Sequence, residues 1–298
     1  MSLKPEPYQR GYKYRIYPTE DQKVLFEKTF GSVRYVWNKA LADITREYDS
    51  YKLNPSLPKP SIKANDICLK ITKLKQSEGH EWLYDVSNRA LQCSIENLEE
   101  AFQRFFKGKG KVGYPQFKNK HKSKKSFKLT TVSFDLKHRG LRVAHCKQLV
   151  KIKITRPLPS EPSSVTISCT PSGEYYASFL CKLIPEMTNG EGKVGIDLGI
   201  KTLASLSNGQ DIPNPKYYVK AQKTLAKYQR RLSKKQKGSK NRNKARIKVA
   251  KVHQHIANQR QDYLHKLSRS LVNDNQVIVI EDLNVKGMSR NHCLAKHI

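Results

Sequence analysis

The sequence predicts an α+β, multidomain fold: a small antiparallel β-barrel or sandwich with an inserted helical part, followed by a part that alternates strands and helices. Three observations carry this prediction. Short strand patterns bounded by turn residues recur from 127 to 183. Helical periodicity fills residues 19–107. Two apolar runs each end in a carboxylate, Val194-Gly195-Ile196-Asp197-Leu198-Gly199 and Val277-Ile278-Val279-Ile280-Glu281-Asp282-Leu283. Continuous β-branched residues suit a strand covered on both faces.

In chain order, Tyr12 to Tyr17 alternates as a short strand that Pro18 stops. Thr19 is an N-cap, and Gln22 completes a capping box. A first short helix is expected to end at Gly31, and a second to begin near Ser32, a pair resembling a helix-turn-helix. Val33, Val36, Trp37, Ala40, Leu41, Ile44 and Tyr48 give the second helix its apolar stripe. The prolines of 54–60 mark a loop. A third helix is expected over 62–76, and a fourth over 88–107, where Leu91, Ile95, Leu98, Phe102 and Phe105 recur at helical spacing. Strands follow at 127–134, 141–144, 150–154, 165–168 and 175–182. The strand at 12–17 joins that sheet, which makes the helices an insertion. The last part reads as a strand at 193–198, its hairpin partner at 202–206, two long helices at 216–236 and 241–273, and a strand at 276–280 that delivers Glu281.

Charge narrows the function. The 298 residues include 57 Lys and Arg against 25 Asp and Glu, a formal net charge of +32. Self-repulsion at that level disfavours the compact state, and a polyanion relieves it. No acid occurs between Phe105 and Phe134, where lysines interleave with aromatic residues. Lys107, Lys109, Lys111, Tyr114, Phe117 and Lys118 are the candidates there for tracking a nucleic-acid backbone and stacking on bases; a solvated linker anchored by aromatics is the alternative for 118–125. No acid occurs between Asp211 and Asp262 either. Lys227, Arg230, Arg231, Lys234, Lys235, Arg242, Lys244 and Arg246 are the candidate phosphate contacts of the two long helices. No run reaches membrane-spanning length, and the first ten residues have no signal-peptide core. A cytoplasmic, nucleoid-associated protein is expected, with no membrane partner and no small-molecule substrate. The six cysteines form no C-x-x-C pair, so zinc is not expected and reduced core thiols are.

An acid at the end of a buried strand is costly unless something pairs with it. A divalent cation is the usual partner, and Mg²⁺ takes carboxylate oxygen. Asp197 and Glu281 are therefore the candidate metal ligands. Taken singly, each also fits a structural role, Asp197 at the turn before Gly199 and Glu281 as a surface acid.

The sequence resembles the OrfB/TnpB proteins of bacterial insertion sequences. Tyr12-Lys13-Tyr14-Arg15-Ile16-Tyr17-Pro18 with Gly31 and Trp37-Asn38-Lys39-Ala40-Leu41 is similar to their N-terminal signature. Phe105-Phe106-Lys107-Gly108 with Gly113 to Lys118 resembles the end of their helical part. Gly195 to Gly199 and Ile280 to Met288 resemble their two catalytic blocks. The resemblance implies a wedge-like β-barrel at 1–18 and 119–187, a helical recognition domain at 19–118, and a RuvC-type, RNase H-like nuclease domain at 188–298, incomplete here. It implies an RNA-guided DNA endonuclease of transposition and DNA recombination, with guide RNA and DNA as partners and Mg²⁺ as cofactor. It assigns the first two catalytic carboxylates to Asp197 and Glu281. Seventeen residues follow Glu281, and they contain Asp282 and Cys293. Neither the family's third aspartate nor its zinc ribbon is among them, so a weakly held cation is expected. The alternative is a nuclease-inactive RNA-guided DNA-binding protein, or a degenerate fragment. His292, Cys293 and His297 are expected to start a helix rather than bind metal.

Overall fold

Strand β1 (Tyr8–Tyr17) turns Tyr12, Tyr14 and Ile16 inward and Lys13 and Tyr17 outward, the period-two pattern of a half-covered sheet. In the computed structural model, which describes residues 6–108, 112–130, 134–137, 140–184 and 190–291, the chain divides into two units, 1–185 and 186–298. In the first unit β1 pairs antiparallel with β5 (Val150–Lys153) and with β7 (Tyr175–Leu183). With β2 (Lys125–Thr130), β3 (Phe134–Lys137), β4 (Gly140–Val143) and β6 (Ser164–Cys169), they form a seven-stranded sheet in the order β2-β6-β7-β1-β5-β4-β3. Its two outer strands are consecutive in the chain, so the sheet curls into a nearly closed, barrel-like form. Of the strand expected over 127–134, residues 127–130 lie in β2 and Phe134 begins β3, and 131–133 lie outside the described residues.

Helix α1 (Glu20–Leu53) starts at the predicted capping box, with the Gln22 amide N–H donating to Thr19 and the Gln22 side chain accepting from the Thr19 amide. The break expected at Gly31 is absent. Phe26, Phe30, Val33, Val36, Trp37, Ala40, Leu41 and Ile44 form one unbroken buried stripe across that position. Glycine costs a helix interior about 1 kcal/mol, less than interrupting such a stripe. α2 (Ala64–Lys75) and α3 (Asn88–Lys107) follow, with a 3₁₀ turn at Glu81–Asp85 between them. Helices and sheet share one hydrophobic core. Phe26 and Phe30 meet Phe127 at 5.7 and 5.4 Å between ring centroids.

The second unit is a four-stranded sheet in the order β10-β9-β8-β11. β8 (Gly192–Leu198) turns back into β9 (Thr202–Leu206) at Gly199, where a Cβ would lie 2.8 Å from the Thr202 carbonyl oxygen. β10 (Asp211–Pro213) extends the sheet at one edge. The chain then forms α4 (Tyr217–Ser233) and α5 (Lys240–Asp274), and β11 (Asn275–Ile280) returns parallel to β8. A short helix, α6 (Val285–Met288), follows. Tyr263, Leu267 and Leu271 of α5 pack on Val194, Ile196, Ala204, Leu206 and Ile212, covering one face of the sheet. No described helix is long and apolar enough to cross a membrane.

Candidate active site and nucleic-acid surfaces

Because strand side chains alternate, burying Val194 and Ile196 under α5 turns Gly195 and Asp197 to the opposite face. Parallel register places Ile280 beside Ile196 and Val279 beside Gly195. Asp197 and Glu281 are each the next residue on, so neighbouring parallel strands deliver both carboxylates at the same height. Glu281 lies one residue past the end of β11, and Asp282 follows it off the strand. Gly195, Asp197, Ser205, Ser207, Val279 and Glu281 line an open cleft of about 380 Å³. Its two carboxylates are the predicted pair, and both are exposed. Among the described residues no group of three or more His, Cys, Asp and Glu is placed to hold a metal ion.

The two serines were not legible as site residues. Ser205 pairs with Asp197 across β8 and β9, and its Oγ donates to Asp211 Oδ1 at 2.6 Å. The Ser207 Oγ accepts from the Gly195 amide at 3.0 Å. A hairpin partner strand carrying Ser at alternate positions, 205 and 207, was the available signal.

The basic candidates fall into two groups. In the first unit, residues 114–118 lie along α1. The Trp37 indole donates to the Gln116 carbonyl (3.0 Å), Asn38 exchanges hydrogen bonds with the Lys118 backbone (2.8 and 2.9 Å), and the Tyr114 hydroxyl meets Thr45 Oγ1 (3.0 Å). Tyr114 also sits edge-on to Phe102 and Phe105, each at 5.5 Å. Phe117 is 59% exposed, and Lys107 is exposed at the end of α3. The Lys118 ammonium rests 3.6 Å over the Trp37 ring, and burial pulls its pKa down to about 8. Lys109 and Lys111 lie outside the described residues.

In the second unit Lys227, Arg230, Arg231 and Lys234 recur at helical spacing along α4 and its C-terminal end, and all are exposed. Lys235, Lys244 and Arg246 are exposed as well. Arg242 is committed elsewhere: its guanidinium donates to the Leu232 and Lys235 carbonyls at 3.2 and 2.7 Å, closing the α4–α5 hairpin. His292, Cys293 and His297 lie outside the described residues.

A family model described as a probable transposase of the OrfB type matches residues 166–292. A helix-turn-helix model of the same family matches residues 8–52, which here form β1 and most of the unbroken α1. A Streptomyces pristinaespiralis protein named as a candidate RNA-guided DNA endonuclease is 40% identical over 292 residues, 97% of this chain and 70% of that protein. An Escherichia coli protein of the same designation is 28% identical over 284 residues, 95% of this chain and 68% of that one. A cryo-EM structure of a Cas12f1–sgRNA–target DNA complex shares the fold with a TM-score of 0.52 at 9% sequence identity, covering 95% of this chain and 82% of that one. By its identity to the Streptomyces protein along nearly its whole length, the chain belongs to the OrfB/TnpB family of insertion-sequence proteins.

Proposed function

We propose that this chain is a transposon-associated, RNA-guided DNA-binding protein built on an RNase H-like, RuvC-type nuclease framework. On this reading Asp197 and Glu281 hold a divalent cation. The observation that carries it is the pair itself: two carboxylates, Asp197 in β8 and Glu281 just past the end of its parallel neighbour β11, lining one cleft. The residues fit a hard cation. The cleft's polar side chains are carboxylates and hydroxyls, with no thiol or imidazole, which suits Mg²⁺ rather than zinc. When bound, such an ion polarises a phosphoryl oxygen and neutralises developing negative charge. The chain's own residues supply two anionic ligands and exposed cationic helices whose charge attracts phosphate. The relatives named as candidate RNA-guided DNA endonucleases support guide RNA and DNA as partners, as does the neighbouring complex with both.

A second reading, RNA-guided binding without cleavage, is favoured by one feature. Among the described residues lining the cleft, only two are carboxylates, whereas a two-metal site clamps both the attacking and the leaving oxygen. Incubating the purified chain and its copurifying RNA with matching DNA and Mg²⁺ separates the readings. Cleavage lost in both Asp197→Ala and Glu281→Ala supports the nuclease. Guided binding with no cleavage supports the second reading. A chain that binds neither RNA nor DNA overturns both.

A further inference from the structure

We infer that Ser205, held by Asp211, is a positioning residue for the cation site at Asp197 and Glu281. The inference rests on the reading of that pair as metal ligands. Ser205 of β9 is the direct cross-strand partner of Asp197 on one side and of Asp211 on the other. Cross-strand partners face the same side of a sheet, so all three stand on the face that α5 leaves uncovered. The row is not three equivalent ligands. Asp211 is two strands from Asp197, about 10 Å at the usual strand spacing, and reaches the cleft only through Ser205.

The direction of the hydrogen bond gives Ser205 its role. Its Oγ donates to Asp211 Oδ1 at 2.6 Å, so its one proton is committed. What it turns toward the cleft is acceptor capacity, strengthened because a hydroxyl that donates to a carboxylate becomes a better acceptor. Mg²⁺-type ions held by few carboxylates keep several waters, and those waters need acceptors. Ser205 Oγ is one on the β9 side. Ser207, the other hydroxyl of the cleft, already accepts from the Gly195 amide. A purely structural role for the Ser205–Asp211 bond is less economical. β10 is already attached to β9 by backbone pairing, and the Tyr263 hydroxyl donates to its Pro213 carbonyl at 3.1 Å.

The test uses the full chain freed of nucleic acid, with Mn²⁺ alone as the probe. Affinity is read by water-proton relaxation, and melting temperature is measured without metal as a control. Ser205→Ala is expected to weaken Mn²⁺ binding by about 10-fold or more, the usual effect of losing a group that orients a metal's ligands. Ser205→Thr, which keeps the hydroxyl, restores the affinity, and Asp211→Ala weakens it. Wild-type affinity in Ser205→Ala, with binding lost in Asp197→Ala, overturns the inference and leaves the ligand pair standing. Failure of Ser205→Thr to restore binding also overturns it, since the serine would then be structural. Should Ser205→Ala not fold, Asp211→Ala decides, and unchanged affinity there overturns the inference. Equal binding by wild type and Asp197→Ala overturns the ligand reading and the inference with it.

Discussion

Tyr114 and Phe117 stand three residues apart in the same basic stretch and have different surroundings. Tyr114, 38% exposed, is held by Phe102, Phe105 and Thr45, whereas Phe117 is 59% exposed. Phe117→Ala is expected to weaken single-stranded RNA binding by about 1–3 kcal/mol, the range for one base stacked on an aromatic ring, with little change in melting temperature. Tyr114→Ala is expected to do the reverse, losing about 1–2 kcal/mol of stability with its ring contacts. Affinity and melting temperature measured on both variants check this, and equal effects would count against it. The interleaving of lysines with aromatics marks a candidate nucleic-acid surface but does not say which ring is the freer. That depends on Thr45, far back in the chain. Lys118 yields a second outcome at this scale. Burial lowers its pKa from 10.5 to about 8, so between those values the unfolded chain holds more protons here than the folded one. The cost of burying the ammonium is complete below pH 8, partly offset by the indole beneath it, and is relieved as pH rises through 8 to 10.5. Wild-type stability in urea should therefore rise relative to Lys118→Met across that window. A difference independent of pH would show that the amine does not titrate there.

At the scale of elements, α1 is the instructive case. Gly31 looks like a stop because glycine usually punctuates helices, yet the stripe from Phe26 to Ile44 runs through it. A Cβ at Gly31 would meet nothing within 4 Å. Gly31→Ala should thus stabilise the chain by about 0.5–1 kcal/mol through lower unfolded-state entropy, read as a higher urea midpoint with the same slope. A destabilised variant would mean that the glycine serves a bend the helix needs. Where amphipathic periodicity is long, the sequence is legible to the residue: α3 spans 88–107, as its Leu91, Ile95, Leu98 and Phe102 spacing predicts. The 3₁₀ turn at Glu81–Asp85 and the three-residue strand β10 are too short to carry a period, and nothing local announces them. The cleft divides the same way. Asp197 and Glu281 were legible because each ends an apolar run. Ser205 and Asp211 were not, because the register of two turns brings them there.

For the whole molecule, the net charge of +32 predicts steep salt dependence. Each phosphate neutralised steepens the fall of log affinity with log salt by about 0.7–0.9. Replacing Lys227, Arg230, Arg231 and Lys234 together by Ala should flatten the slope by up to about 3 for RNA if all four touch phosphate. An unchanged slope would remove α4 from the binding surface. The barrel-like sheet has a different consequence, for the order in which the chain is made. β1 is made well before β7, and its most extensive pairing, Tyr8 with Leu183 through Ile16 with Tyr175, waits until the three helices and five strands described between them have been synthesised. The helices make mostly local contacts and can assemble meanwhile. Until β5 and β7 are made, Tyr12, Tyr14 and Ile16 lie on a segment that lacks both of its strand partners, the kind of segment that self-associates. Crowded polysomes making this protein therefore hold many copies of one unpaired sticky strand, and yield should depend on how fast elongation carries each chain past Leu183.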